Sequence, residues 1–250
     1  MKIKEIISKL EEFAPPALAE EWDNVGLMLG DSDSEASGVM LALDLTTDVI
    51  EQAEKAGCNL IVTHHPFIFR PIKRIDFSEA KGREIKRLIK SDISVYSMHT
   101  NLDKTDGGIN TTLASMLGAK DYQSDGVGGI MKIEPTSLAQ FAKSVATTLD
   151  DKSVKTVGNS GRIIESVYVV GGSGGSEYSR ARECADVLLT GDLKHHNYID
   201  AIEDDFAIVE YSHYASEIIM QNILENALKD LGVKTIKAKS SSPFRLLEEI

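Results

Sequence analysis

The order strand–helix–strand is written into this chain twice, and both copies end in polar clusters. VMLALD (39–44) has buried-strand character, and TTDVIEQAEKAG reads as a helix capped by Thr46 or Thr47 and stopped by Gly57. NLIVTHHP (59–66) is a second strand that breaks at Pro66. The order returns as SVYVVGG (166–172), SEYSRARECA and DVLLTGD (186–192). A shift of 127 positions lays Thr63 on Thr190, Asn59 on Asp186 and Asp44 on Gly171 without a gap. A second block, KGREIKRLIKSDISVYSMHTNLD (81–103), meets HHNYIDAIEDDFAIVEYSHYASE (195–217) at a shift of 114. That shift pairs Ile85 with Ile199, Leu88 with Ile202, Val95 with Val209, His99 with His213 and Asp103 with Glu217. The two shifts differ by 13, so the first copy carries the longer loop after Pro66.

Alternation of this kind predicts an α/β fold: two similar α/β lobes related by internal duplication, with largely parallel sheets. Glycines and turn residues cluster in DGVGGI (125–130), which places the seam between a first lobe at 1–125 and a second at 126–250. The helical pattern TSLAQFAKSVATTL (136–149) then opens the second lobe as MKIKEIISKLEEF opens the first. With 250 residues, 42% of them hydrophobic, the chain can build a sizeable core for both.

An excess of acid, 39 Asp and Glu against 27 Lys and Arg, repels phosphate backbones and argues against an extended nucleic-acid interface. A small anionic substrate is still admissible, because bound metal ions reverse the local field. The N-terminal segment is amphipathic rather than an uninterrupted apolar h-region, and no stretch approaches a membrane span. Two cysteines, Cys58 and Cys184, are too few for a secreted disulfide framework, so a cytoplasmic protein is expected.

All six histidines lie in or beside four strand ends: THHP (63–66), HTNLD (99–103), TGDLKHH (190–196) and SHYASE (212–217). Ligands of open α/β sheets sit at the carboxyl ends of strands. His64 and His65 are adjacent after a β-branched run, so their side chains diverge and can serve different ions. His213 and Glu217 are four apart before an apolar helix, which puts imidazole and carboxylate on one helical face. With Asp103, these residues form a candidate site for a pair of divalent ions, and Glu217 has two oxygens with which to bridge them. His99, His195 and His196 stand as residues that orient the ligands, as substrate contacts or as structural residues. GGSGGS (171–176) reads either as a tight turn or, through Gly172, Ser173 and Gly174, as a phosphate-contacting loop. EEWDNVGLMLGD (20–31), with the one tryptophan, reads as a loop wrapping the core or as a functional segment.

The stretches WDNVGL (22–27), THHPFIF (63–69), HTNLD (99–103), GGSGG (171–175), TGDLKHH (190–196) and SHYASE (212–217) together resemble the GTP cyclohydrolase I type 2 homologues, also called the NGG-one-interacting-factor-three-like family. They run from end to end of the chain. The resemblance implies a dinuclear metal site in a cleft between two lobes: His65 and Asp103 on one ion, His64 and His213 on the other, Glu217 bridging. It also implies a toroidal homohexamer built as a trimer of dimers. Longer members insert a domain between the lobes, and the direct run from DYQSDG to GIMKIEP leaves no room for one. Many members carry glycine where Ser212 precedes the histidine, a departure that leaves ligation unaffected.

The activity this implies is metal-dependent hydrolysis of a small molecule, with the guanine ring of GTP opened by water and its C8 carbon leaving as formate. Two divalent ions per chain, zinc, iron, manganese or similar, would serve as cofactors, with His99 or His195 as proton shuttle. A metal-dependent phosphoesterase and a non-enzymatic metal-binding scaffold are the alternatives.

Overall fold

Val39–Ala42, Leu60–Thr63 and Ser94–Ser97 are four-residue runs in which every residue is buried, the pattern of parallel strands covered on both faces. A computed structural model, which describes residues 1–246, shows how they are used; the last four residues of the expected second lobe, 247–250, lie outside the described residues. The chain begins with α1 (Ile3–Phe13) and β1 (Gly26–Leu29). It continues through β2 (Val39–Ala42), α2 (Thr47–Ala56), β3 (Leu60–Thr63), α3 (Ala80–Lys90), β4 (Ser94–Ser97) and α4 (Thr100–Lys104). Next come α5 (Ile109–Met116), β5 (Asp121–Asp125), β6 (Gly128–Ser137), α6 (Leu138–Thr148), β7 (Lys155–Val157) and β8 (Ile163–Ser173). Then follow α7 (Tyr178–Cys184), β9 (Val187–Gly191), α8 (His195–Glu203), β10 (Ala207–Glu210) and α9 (His213–Glu217). The described chain closes with α10 (Met220–Leu228) and β11 (Thr235–Lys237).

Two compact units result. One contains Met1–Thr105 and Met220–Ser241; Asp106–Ile219 forms the body of the other. This division differs from the expected halves at 1–125 and 126–250, for two reasons. The glycines of DGVGGI build a two-residue hairpin turn, with Asp125 paired to Gly128 and Gly126 at φ 60°, so the chain reverses there instead of changing lobe. The C-terminal α10 and β11 then return to the first sheet, where β11 pairs in parallel with β2. Buried Gln221 fixes that return by donating to the carbonyls of Leu41 and Ala238.

The first unit has a five-stranded sheet in the order β1-β4-β3-β2-β11, and the second a six-stranded sheet in the order β5-β6-β8-β9-β10-β7. At their centres both repeat one design. Three parallel strands, β2-β3-β4 in the first and β8-β9-β10 in the second, are linked by helices. An antiparallel edge strand follows in each, β1 against β4 and β7 against β10. The three parallel strands, not the edge strands, are those that the sequence shifts of 127 and 114 lay on one another. The second sheet adds the antiparallel pair β5 and β6 on its other side.

Local signals account for the linking helices. Thr46 caps α2 by accepting from the amide of Val49, and Gly57 ends it at φ 66° in the left-handed region. Met40, Ile50, Ile61, Leu88 and Val95 share the core of the first unit; Tyr168, Ala181, Leu188, Phe206 and Ile208 share a core of the second. Burying side chains of this size stabilises the fold by roughly 1.5–3 kcal/mol each. Among the described residues no helix is long and apolar enough to cross a membrane.

Candidate metal centre

Each parallel strand delivers its next residues to the carboxyl edge of its sheet. In the first unit β3 leads into His64 and His65, β4 into His99, and α4 carries Asp103 one turn on. His64 is fully buried, and its Nδ1 donates to the Met98 carbonyl at 2.9 Å. The Nδ1 of His65 donates to Asp44 Oδ1 at 2.7 Å, and that of His99 to Asp23 Oδ1 at 2.8 Å. A carbonyl or carboxylate can only accept, so all three rings hold their proton on Nδ1 and carry the lone pair on Nε2 when neutral. The three residues each offer a ligand atom, and these atoms lie within 4.8 Å of one another. Asp103 Oδ1 stands 3.7 Å from His64 Nε2.

Asp23 holds this corner. It takes the His99 ring and also the amide and hydroxyl of Thr100 at the start of α4. Burial by itself would raise its pKa, but the hydrogen bonds from His99 and Thr100 outweigh that cost and bring it down to about 2.

In the second unit β10 leads through Tyr211 and Ser212 into α9. Ser212 caps this helix by accepting from the amide of Ala215 at 3.1 Å, which places His213 just inside it. His213 Nδ1 donates to Asp192 Oδ2 at 2.7 Å, and its Nε2 lies 2.8 Å from Glu217 Oε2, as the spacing of four predicts. In a neutral ring that contact sets a lone pair against a carboxylate, so a second proton or a metal ion must stand between them. Gly172 makes room for the acid: a Cβ there would fall 2.0 Å from Glu217 Oε1, and its φ is 62°.

Neutral imidazole nitrogens beside carboxylate oxygens, with acids or a carbonyl behind the rings, make the donor set and outer support that zinc, iron and manganese sites use. The residues present therefore fit a divalent ion: three ring nitrogens converge in the first unit, and the second holds a histidine–carboxylate pair.

The remaining sequence candidates fall differently. His195 and His196 are exposed in the first turn of α8, and among the described residues neither belongs to a group of convergent metal ligands. In the glycine loop the amides of Gly171 and Gly172 donate to Asn110 Oδ1 at 2.7 Å and Ser216 Oγ at 3.0 Å, and only Ser173 of the Gly172–Gly174 stretch is exposed. Residues 26–29, read as part of a loop, form strand β1.

Sequence reasoning missed the aspartates behind the rings. Asp44 and Asp192 each precede their histidine by 21 residues, at the ends of β2 and β9, one strand before the histidine's own. The signal was available, since an acid directly after a buried strand obeys the rule that picked out the histidines. Asp23 also has a counterpart. Asp151, just before edge strand β7, accepts from the amide of Ser212 at 2.6 Å, as Asp23, just before edge strand β1, accepts from Thr100.

Comparison with known proteins agrees with this architecture. The chain is 34% identical over 251 residues to a GTP cyclohydrolase 1 type 2 homolog of Clostridium acetobutylicum, covering 94% of each chain. Its structure superposes on that of Staphylococcus aureus hypothetical protein SA1388 with a TM-score of 0.89 at 29% identity, over 99% of both chains. Reduced HcgD from Methanocaldococcus jannaschii matches with a TM-score of 0.87 at 32% identity, over 96% of this chain and 98% of the other. The model of the Duf34/NIF3 (NGG1p interacting factor 3) family matches residues 1–243, and the chain belongs to that family.

Proposed function

We propose that this protein is a metal-dependent hydrolase that works with a pair of divalent ions. In this reading His64, His65, Asp103, His213 and Glu217 would hold the ions. The observation that carries it is the shared tautomer of His64, His65 and His213: each gives its Nδ1 proton to an oxygen, which leaves Nε2 as the coordinating atom.

The bound ions supply Lewis acidity, which lowers the pKa of a water toward neutrality. Asp44 and Asp192 keep the His65 and His213 rings in one orientation and raise their basicity. His99 sits against Asp23 with its lone pair on Nε2, so it can take a proton from the attacking water and return it to the leaving nitrogen. Glu217, buried beside Gly172, has one carboxylate oxygen on His213 and brings negative charge that two cations need.

The names of the curated relatives point to GTP as the substrate to try first, with one water added at C8 of guanine to open the ring to a formamide and a second water cleaving that formamide to formate and a free amine. Phosphate-ester cleavage draws less support, because the amides of Gly171 and Gly172 are engaged by Asn110 and Ser216. Assembly as a homohexamer, which the family resemblance implies, is part of the same reading and is checked by sedimentation.

Elemental analysis of the wild type beside Glu217→Ala, followed by formate release from GTP, tests the proposal. Two ions per chain, lost in the variant, with formate produced, is the expected result. Two ions without formate would retain the centre and remove this substrate; no metal in the wild type would remove both.

A further inference from the structure

The one tryptophan of the chain is also one of its most exposed large apolar side chains: Trp22 is 60% exposed, and beside it Phe69 is 42% exposed. Apolar rings left in water cost free energy that folding normally recovers by burial. These two are nonetheless held in place. Their centroids are 6.1 Å apart at an interplanar angle of 71°, and both stand edge-on to His99, at 6.2 Å and 76° for Trp22 and 6.1 Å and 88° for Phe69.

The backbone around each ring is anchored. The amide of Glu20 donates to Thr100 Oγ1 at 2.9 Å, and Asp23 accepts from His99 and Thr100. The Asn24 side-chain amide donates to the carbonyl of Ile68, which ties the segment bearing Trp22 to the one bearing Phe69. The network therefore presents two aromatic rings to solvent, rigidly, against one of the three histidines whose ligand atoms converge in the first unit.

We propose that Trp22 and Phe69 form a stacking wall for a planar heteroaromatic ring, which they hold beside His99 while the reacting atoms lie toward His64 and His65. This assigns the residues that recognise the ring of the proposed substrate and rests on that reading of the histidines. Aromatic faces recognise the π-face of a flat ring whatever its substituents, and pre-anchored side chains lose little entropy when they bind. With the two rings 71° apart, a flat ring stacks on the face of one and meets the other edge-on, a fit that an aliphatic or purely anionic substrate does not have.

Because Trp22 is the sole tryptophan, its fluorescence reports this site directly. Metal-replete protein is titrated with guanosine and GTP, and with ribose 5-phosphate and tripolyphosphate as ring-free probes. The expected result is saturable quenching by the two ring compounds only. Phe69→Ala should weaken their binding by about 5- to 100-fold, the range that stacking deletions give. Phe69→Tyr should restore it and Phe69→Leu should not; thermal melts confirm that each variant is folded. Absence of saturable quenching overturns the proposal, as does wild-type affinity in Phe69→Leu. A Trp22 spectrum that shifts with protein concentration and ignores guanosine overturns it too, by assigning the rings to a contact between copies. The hydrolase reading fails separately. Quenching without formate leaves the ring site standing, whereas formate release with no quenching and an unchanged KM in Phe69→Ala removes the ring site alone.

Discussion

The third parallel strand of each sheet ends in a histidine followed four residues later by an acid, yet the two pairs behave differently. In the second unit His213 and Glu217 meet at 2.8 Å. In the first, His99 turns to Asp23, and Asp103 lies 3.7 Å from the ring of His64 instead. The cause is where the following helix begins. Ser212 caps α9, so His213 is its first residue and shares a face with Glu217, whereas His99 itself occupies the cap position of α4 and stands outside the helix. A shift of one residue in the helix start decides whether the imidazole faces its own acid. Asp151 and Asp23 complete the contrast. Both accept from the backbone at the start of the helix, but Asp151 then binds Ser153 where Asp23 binds the His99 ring.

If this contrast is functional, His213→Ala should hurt metal binding far more than His99→Ala. Structural metal affinities of roughly 10–16 kcal/mol over four ligands correspond to about 3 kcal/mol each, so about a 100-fold loss is expected for His213→Ala. His99→Ala should cost about 10-fold, as removal of an outer partner does. Competition with a fluorescent chelator measures both, and equal losses would make His99 a ligand and dissolve the distinction.

Gly172 offers a second test against a glycine in the first unit. Gly57 has nearly the same φ, 66° against 62°, but a Cβ there meets nothing within 4 Å, while at Gly172 it meets Glu217 at 2.0 Å. Gly57→Ala should therefore cost only the left-handed penalty of about 1 kcal/mol. Gly172→Ala adds displacement of a buried carboxylate, for a total of about 3 kcal/mol and a Tm lower by roughly 6–12 °C. Equal melting temperatures for the two variants would mean that Glu217 moves aside freely, which would weaken its assignment as a fixed ligand.

The aspartates behind the rings should respond alike, since both contacts are 2.7 Å. Asp44→Asn and Asp192→Asn are each expected to lower metal affinity about 10-fold, the lower end of the range for such partners. A loss confined to one of them would show that only one of the two histidines depends on its orienting acid, a measurement within reach of the same chelator assay.

The sequence revealed the parallel strands and their duplication because those runs are continuous and buried, and the period of two or of 3.6 then needs no tertiary information. His64, His65, Asp103, His213 and Glu217 stand out as candidates because they lie in the polar clusters that follow such runs. What escaped was set by partners distant in sequence. Strand β1 has one exposed and three half-buried residues and forms by pairing with β4. DGVGGI carries turn residues whether it joins lobes or closes a hairpin, and only the pairing of β5 with β6 decides. The role of Asp23 depends on His99, 76 residues away, and no local periodicity encodes that meeting.

Asp23 adds an effect that turns on pH. Its carboxyl titrates at about 2 in the folded chain against an ordinary 3.8, so the folded state prefers it ionised. Stability from this group is complete above the ordinary value and is lost as pH falls through about 2; the shift is worth at most about 2 kcal/mol. Asn at this position still accepts from Thr100 but carries no charge to lose. The urea midpoint of metal-stripped wild type should therefore lie above that of Asp23→Asn at pH 5, and the two should converge between pH 4 and pH 2. Parallel curves over that interval would mean that Asp23 contributes by hydrogen bonding alone, and that the His99 ring is held without help from its charge.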